Sequence, residues 1–170
     1  MEIINGERLV LGTCYYPEHW DESLWRDDLR RMLENGIEVI RIAEFAWSKI
    51  ERYEGVFNYD FFDRFLDAAA EMGMKVIFCT PTATPPAWLT EKYPEVLNAT
   101  MDGVLYRHGG RRHYNYNSPK YQELTRIIVE KSASHYAKHP AIIGWQIDNE
   151  INCEKNEFYS ESDTLSLIHI

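Results

Sequence analysis

Residues 141–150 read AIIGWQIDNE, an apolar run over 141–147 that ends in three polar side chains. A short apolar run bounded by turn signals is typical of a buried strand in a parallel sheet. In parallel α/β folds, the residues that carry chemistry follow the carboxyl ends of such strands. The segment therefore predicts a strand whose end presents Asp148, Asn149 and Glu150 at a functional rim.

The rest of the chain alternates between short apolar runs and helical stripes, the pattern of a parallel sheet wrapped by helices. The N-terminal half of a (β/α)₈ barrel fits this pattern, with about four parallel strands and no linker over residues 1–163. A complete barrel needs ~250 residues, more than the 170 of this chain. Strands are predicted over Val10–Tyr15, Val39–Ile42, Lys75–Cys79 and 141–147, and helices from Asp21 to Asn35-Gly36, from Phe61 to Gly73, over Ala87–Lys92, and from Ser118-Pro119 toward Pro140.

Composition limits the partners and the compartment. A net charge of −9 disfavours nucleic acid and anionic membrane surfaces and is compatible with a neutral small molecule. The three cysteines, Cys14, Cys79 and Cys153, are odd in number and far apart, which favours reduced thiols. Glu2, Glu7 and Arg8 interrupt the start of the chain, and no apolar run is long enough to span a membrane. These features predict a soluble, cytoplasmic protein.

The pair Asn149-Glu150 is a candidate for glycosidic chemistry. Hydrolysis of a glycosidic bond needs a carboxylic acid that protonates the leaving oxygen and a second carboxylate that attacks or activates water. A polar neighbour such as an amide is suited to hold the sugar 2-hydroxyl. By spacing alone, however, a strand end that leads into an ordinary turn explains the pair at least as well.

Six stretches resemble the β-galactosidases of glycoside hydrolase family 42, and they occur in the family's order. This family has a (β/α)₈ barrel with an Asn-Glu pair after the fourth strand. The resemblance implies a retaining β-galactosidase that acts on terminal β-D-galactosyl residues without a cofactor. The matching stretches are YYPEHW (15–20), IRIAEFAWS (40–48), EGVFNYDFFD (54–63), TPTATPPAWL (80–89), GGRRHYNYNSP (109–119) and GWQIDNE (144–150).

The resemblance also implies roles for individual residues. Glu150 matches the general acid/base, and Asn149 matches the residue that holds the sugar 2-hydroxyl. Arg111 is taken as the sugar-binding arginine. Arg41, on the second predicted strand, is expected to face the barrel centre and orient the nucleophile, because its fixed charge keeps a nearby carboxylate ionised.

Simpler explanations exist for several of these side chains. Without the resemblance, Arg111 and Arg112 would be a solvated basic turn. Trp47, Trp88 and Trp145 could stack on sugars, but packing is the default for so apolar a side chain. Glu44 could be proposed as the second carboxylate. The family places its nucleophile on a late strand, however, so support of its neighbours is the expected role of Glu44.

No metal site is expected. His135 and His139 have a zinc-like i, i+4 spacing but no third ligand, so helix-end solvation is expected instead. Some family members hold a structural zinc with a cysteine after the RRHY motif and further cysteines beyond the Asn-Glu pair. This chain has Asn115 at the first position and only Cys153 in the later region.

The family's nucleophile comes from a strand beyond residue 170, so the chain is expected to be a truncated form that is inactive alone. Residues 164–170, TLSLIHI, fit neither the expected helix nor a helix cap and are interpreted as a foreign, artefactual tail. Full-length members of the family are often trimers. Two other functions remain open, namely a barrel enzyme specific for β-glucosides or β-mannosides, and a non-catalytic, truncated sugar-binding chain.

Overall fold

A computed structural model describes residues 9–151 and 157–163 of the chain. The predicted tail over 164–170 and Cys153 lie outside these residues. Short 3₁₀ turns at Pro17–His19, Glu22–Leu24, Pro81–Ala83 and Pro94–Val96 connect the longer elements. In chain order those elements are β1 (Leu11–Cys14), α1 (Trp25–Glu34), β2 (Ile37–Ile42), α2 (Trp47–Ile50), β3 (Glu51–Tyr53), β4 (Val56–Phe57), α3 (Asp60–Met72), β5 (Lys75–Cys79), α4 (Ala87–Lys92), α5 (Pro119–Tyr136) and β6 (Ile142–Gln146).

Four strands form one sheet in the order β1-β2-β5-β6, and every neighbouring pair is parallel. Cys14 pairs with Arg41, Arg41 with Ile77, and Ile77 with Gly144, so these residues lie in one row across the sheet. Parallel neighbours need crossover connections, and helices α1, α3 and α5 lie within these connections. The four parallel strands expected from the sequence are confirmed.

The strand and helix boundaries follow local chemistry closely. Strand β5 and helix α4 have the predicted limits. Strand β2 begins two residues earlier than predicted and ends as predicted, and β1 and β6 are each one residue shorter at both ends. Helix α5 begins at Pro119 behind Ser118, whose hydroxyl accepts from the backbone N–H of Tyr121. Helix α3 ends at Gly73, which has the left-handed φ of 80° that glycine adopts without cost.

The core lies between the helices and one face of the sheet. Ile40, Ile42 and Phe78 on that face are fully buried. Trp25 of α1 packs edge-on against Phe65 of α3 with ring centroids 5.1 Å apart, which joins the two helices. Within residues 9–151 and 157–163, no helix has both the length and the apolar character needed to cross a membrane.

The opposite face of the sheet and both of its edge strands are open. All four residues of β1 are exposed, and Leu11 and Ile147 are 56% and 70% exposed. Unpaired strand edges beside apolar surface promote association between chains. We therefore expect the 170-residue chain to self-associate as its concentration rises, measured by size-exclusion chromatography with light scattering. A sharp monomer peak at all concentrations, together with a cooperative melt, would contradict this expectation.

Candidate active site

The carboxyl ends of the four parallel strands meet along one rim of the sheet, and the backbone there is unusual. Within the described parts of the chain, four non-glycine residues have a positive φ, and all four follow these strands or lie in the long loop after β5. Such a conformation costs about 1–2 kcal/mol per residue. It is maintained only where surrounding contacts hold it, most often at functional sites. These residues are Ala43 (68°), Arg112 (57°), Asp148 (54°) and Glu150 (44°).

Asn149 lies between two of these strained residues, and its backbone is held from both sides. Its N–H donates to Oδ1 of Asp148 at 2.6 Å, and its carbonyl oxygen accepts from Nη2 of Arg112. Oδ1 of Asp148 and Nη1 of Arg112 are 3.5 Å apart, which closes the ring of contacts. Asp148 is 7% exposed and Arg112 is 4% exposed, so both charges lie inside the protein.

Glu150 lies at the outer end of this turn, where its side chain is 47% exposed. Its carboxylate forms an ion pair with the guanidinium of Arg111, which is equally exposed. An exposed pair of this kind contributes only about 0–1 kcal/mol and exchanges readily with other partners. The Glu150 carboxylate is therefore accessible to a ligand at the rim, close to an arginine that can bind hydroxyl groups.

Arg41 extends from β2 across the open face of the sheet. Its Nη1 donates to Oε1 of Gln146 on β6 at 2.6 Å, and its Nη2 donates to Oε2 of Glu44 at 2.7 Å. Burial alone would lower the pKa of the Arg41 guanidinium, but Glu44, Cys14, Cys79 and Tyr16 together outweigh burial and raise it. Arg41 thus places a permanent positive charge on the open face of the sheet.

Glu44 is a supporting residue in this geometry. It is 2% exposed and accepts from both Arg41 and the hydroxyl of Tyr16, the latter at 2.9 Å. Burial and the hydrogen bond to Glu44 raise the pKa of Tyr16 to about 12. A buried carboxylate held by an arginine and a phenol is poorly placed to attack a substrate.

Two cavities open along the rim, and Asn149 lines both. The first, of about 700 Å³, is an open depression that also contains Arg41, Gln146 and Glu150. The second, of about 350 Å³, lies between Asn149, Arg111 and the loops after β2 and β5. The structure therefore brings Arg41, Arg111, Asn149 and Glu150 to one rim, where Asn149 borders both cavities.

No functional role is predicted for Arg112, which the sequence alone favours as part of a solvated basic turn. Arg111 points outward, whereas Arg112 is buried and donates to the hydroxyl oxygens of Tyr114, at 3.1 Å, and Tyr116. Burial alone would lower the pKa of Arg112, but Tyr114, Tyr116 and Asp148 together raise it. Arg112 has a positive φ of 57°, and no local pattern in the sequence distinguishes it from Arg111.

The tryptophans considered as sugar platforms pack within the protein. Trp47 is fully buried and donates to Oε2 of Glu51 at 2.7 Å. Nε1 of Trp88 donates to the backbone carbonyl of Glu51 at 3.1 Å, and Trp145 packs against Phe78 with ring centroids 5.4 Å apart. Packing, their expected role, accounts for all three side chains.

The two histidines with zinc-like spacing each face an aspartate of α3. Nε2 of His135 is 2.8 Å from Asp63, and Nε2 of His139 is 3.4 Å from Asp67. In the part of the chain that the structure describes, no three His, Cys, Asp or Glu side chains lie close enough together to hold a metal ion. His135 therefore links α5 to α3, and His139, just after α5, contacts the same helix.

Asn115, which replaces the zinc-ligand cysteine of some family members, is fully buried in a polar cluster. Its Nδ2 donates to Oγ of Ser160 at 2.5 Å and to Oδ2 of Asp163 at 2.6 Å. Asp163 also accepts from Nδ2 of Asn117 at 2.7 Å and from the backbone N–H of Ser160 at 2.8 Å. The cluster joins the long loop after β5 to residues 157–163.

We expect Asp163→Ala to destabilise this junction by about 1–3 kcal/mol, because the buried amide of Asn115 and the backbone N–H of Ser160 lose an acceptor. Chemical denaturation measures the loss. The exposed Glu161, in the same segment, supplies the control variant Glu161→Ala. Equal stability of the two variants would show that the cluster contributes nothing.

Comparison with known proteins places the whole arrangement in a family. The glycoside hydrolase 42 family model, described as beta-galactosidase, matches residues 14–165. The beta-galactosidase Bga of Halorubrum lacusprofundi is 42% identical over 145 residues, which are 85% of this chain and 21% of that protein. BgaA of a Thermus species is 46% identical over 144 residues, which are 85% of this chain and 22% of that protein.

Solved structures agree with the sequence comparisons. The beta-galactosidase of the psychrophilic Marinomonas ef1 superposes with a TM-score of 0.89 at 42% identity, over 93% of this chain and 24% of that one. The beta-galactosidase of Halorubrum lacusprofundi superposes with a TM-score of 0.87 at 40% identity, over 91% of this chain and 23% of that one. The chain thus spans less than a quarter of the length of these relatives, and its sheet matches the N-terminal part of their barrel, as expected. It belongs to the β-galactosidases of glycoside hydrolase family 42.

Proposed function

We propose that this chain forms the acid/base side of a retaining β-galactosidase site. In this proposal, Glu150 delivers the proton to the leaving oxygen, Asn149 holds the sugar 2-hydroxyl, and Arg111 binds the sugar. The observation that carries the proposal is the exposed Glu150 carboxylate at the end of the fourth strand of the sheet, beside Asn149 and paired with Arg111. The similar proteins named above, all beta-galactosidases, favour a β-galactoside as the substrate.

The proposed reaction needs a second carboxylate, ~5–5.5 Å from the first. In the first step this nucleophile attacks the anomeric carbon while Glu150 gives its proton to the departing glycosidic oxygen. In the second step the Glu150 carboxylate removes a proton from water, whose oxygen displaces the nucleophile and restores it as a carboxylate. The first step requires Glu150 to be protonated while the nucleophile is ionised.

Arg41 is the proposed partner of that nucleophile. Its guanidinium lies on the open face of the sheet and lines the same depression as Glu150. An arginine holds a facing carboxylate in a fixed orientation and keeps it ionised, as a nucleophile must be. Two other carboxylates of the rim, Glu44 and Asp148, are each held by several hydrogen bonds. We therefore propose that the nucleophile is not part of this chain, and that the 170 residues alone are inactive.

A hybrid enzyme tests this proposal. Residues 14–163 of this chain replace the matching segment of the Thermus BgaA enzyme, which is 46% identical and supplies the rest of the protein. We expect the hybrid enzyme to hydrolyse 4-nitrophenyl β-galactoside and to prefer it over the β-glucoside and the β-mannoside. A hybrid that melts cooperatively but hydrolyses none of the three, or prefers a glucoside or mannoside, would contradict the proposed function.

A further inference from the structure

The Asp148 side chain accepts several hydrogen bonds at the rim, yet the proposed reaction gives it no role. Its Oδ2 accepts from Oγ1 of Thr82 at 2.7 Å, and its Oδ1 accepts from the hydroxyl of Tyr116 at 3.3 Å. Its backbone N–H donates to Oγ1 of Thr80 at 2.7 Å. Both carboxylate oxygens are therefore occupied by protein groups, which leaves Asp148 unavailable to react with a substrate.

The same carboxylate fixes the residue that follows it. Oδ1 of Asp148 accepts from the N–H of Asn149, and Arg112 donates to the carbonyl of Asn149 from the other side. The two buried charges that make these contacts are 3.5 Å apart and compensate each other. We call this arrangement the Asn149 clamp, and define it as the Asp148 carboxylate, the Arg112 guanidinium and the Asn149 backbone between them.

The clamp is needed because the backbone on either side of Asn149 is unfavourable. Asp148 and Glu150 have φ values of 54° and 44°, a region that costs about 1–2 kcal/mol for each non-glycine residue. Without contacts to hold it, such a turn relaxes to ordinary dihedral angles. That relaxation rotates the backbone at Asn149 and Glu150. The two side chains then turn away from the depression that they line.

We propose that Asp148 is a positioning residue. Through the Asn149 clamp it sets the orientation of Glu150 for proton delivery and of Asn149 for the sugar. This role of Asp148 rests on the proposed function of Glu150. It adds the requirement that Glu150 have a buried, charged neighbour at position 148. Thr80 and Thr82, which follow β5, anchor Asp148, so the third strand of the sheet fixes the side chains presented by the fourth.

Hydrogen exchange in the 170-residue chain tests the clamp directly. In Asp148→Ala we expect the backbone N–H of Asn149 to exchange at least 10-fold faster than in the parent chain. The N–H of Thr80, which donates to the carbonyl of Gln146 at 2.9 Å, reports on the pairing of β5 with β6 and should keep its rate. An unchanged rate at Asn149, or an equal increase at both amides, would overturn the proposal.

Kinetics in the hybrid enzyme test the effect on proton delivery. Because small misplacements of a catalytic group cost up to about 100-fold, we expect Asp148→Asn to lower kcat/KM for lactose, which reports on the first step, by roughly 10- to 100-fold. The effect on 2,4-dinitrophenyl β-galactoside should be several-fold smaller, since its leaving group needs no proton. Asp148→Glu, which restores the charge, should recover part of the activity toward lactose. Equal losses for both substrates would overturn the positioning role.

Two further variants complete the design. Glu51 is a buried carboxylate that accepts from Trp47 and from the backbone N–H of Gly55 and lines neither cavity of the rim. Glu51→Gln should lower Tm without changing the ratio of the two activities, which separates positioning from stability.

Glu150→Gln separates the two proposals. If this variant shows the substrate difference and Asp148→Asn does not, only the positioning role fails. If neither shows the difference, the proposed function fails as well.

Discussion

Replacing Glu150 by glutamine in the hybrid enzyme should slow the hydrolysis of lactose by about 10²–10⁴-fold, the usual contribution of a general acid. Glutamine has nearly the same shape but carries no proton that it can give to the departing sugar oxygen. The glycosylation step of 2,4-dinitrophenyl β-galactoside should be slowed much less, because dinitrophenolate leaves without protonation. Steady-state rates with lactose and burst kinetics with the aryl galactoside measure the two effects.

The control variant is Glu161→Gln, which changes an exposed carboxylate outside the rim. Asp148→Glu is unsuitable as this control, because it perturbs the turn that carries Glu150. Glu161→Gln should leave both rates unchanged. Small and equal effects of Glu150→Gln on both substrates would remove Glu150 from the acid role. The family fold would still hold, but the general acid would have to be a residue other than Glu150.

Replacing Arg112 by methionine should destabilise the 170-residue chain by about 3–5 kcal/mol, the cost of leaving one partner of a buried ion pair uncompensated. Methionine fills much of the same volume, but it offers no donor to the Asp148 carboxylate, to the Asn149 carbonyl or to Tyr116. Urea denaturation of the two proteins measures the difference in the free energy of unfolding.

Arg111→Met is the matched control, because it removes the same charge one residue earlier. Arg111 is 47% exposed and its ion pair lies in solvent, so the expected loss is below about 1 kcal/mol. A loss of the same size for both arginines would show that burial of Arg112 contributes no stability. In that case the Asn149 clamp would not be the feature that holds the turn.

Much of the fold is readable in the sequence because local signals agree with the tertiary structure. Three elements combine periodicity with a cap or breaker. They are helix α3, which ends before Gly73, helix α5, which begins at Ser118-Pro119, and the apolar strand Lys75–Cys79. The hairpin of β3 and β4 was not predicted. Its strands contain three and two residues, too few for alternation to be recognised, and its turn depends on the positive φ of 77° at Gly55.

The candidate site was predicted less completely. The resemblance indicated four candidate residues, and the structure places all of them at one rim. These residues are Arg41, Arg111, Asn149 and Glu150. Sequence alone could not say which of two adjacent arginines is buried, since that depends on the positive φ at Arg112.

The role of Asp148 was equally hidden, because its partners come from separate parts of the chain. Thr80 and Thr82 follow β5, whereas Tyr116 lies near the end of the long loop. No local pattern in the sequence connects these residues.

The most direct measurement uses Glu150→Ala in the hybrid enzyme, with 2,4-dinitrophenyl β-galactoside as substrate and azide added. Removing a general acid/base opens space beside the galactosyl-enzyme on the face that water normally approaches. Azide needs no base, so it attacks the anomeric carbon there and displaces the nucleophile carboxylate. We expect faster turnover with azide and β-galactosyl azide as the product. No acceleration, or an azide product of α configuration, would contradict the assignment of Glu150 as the acid/base.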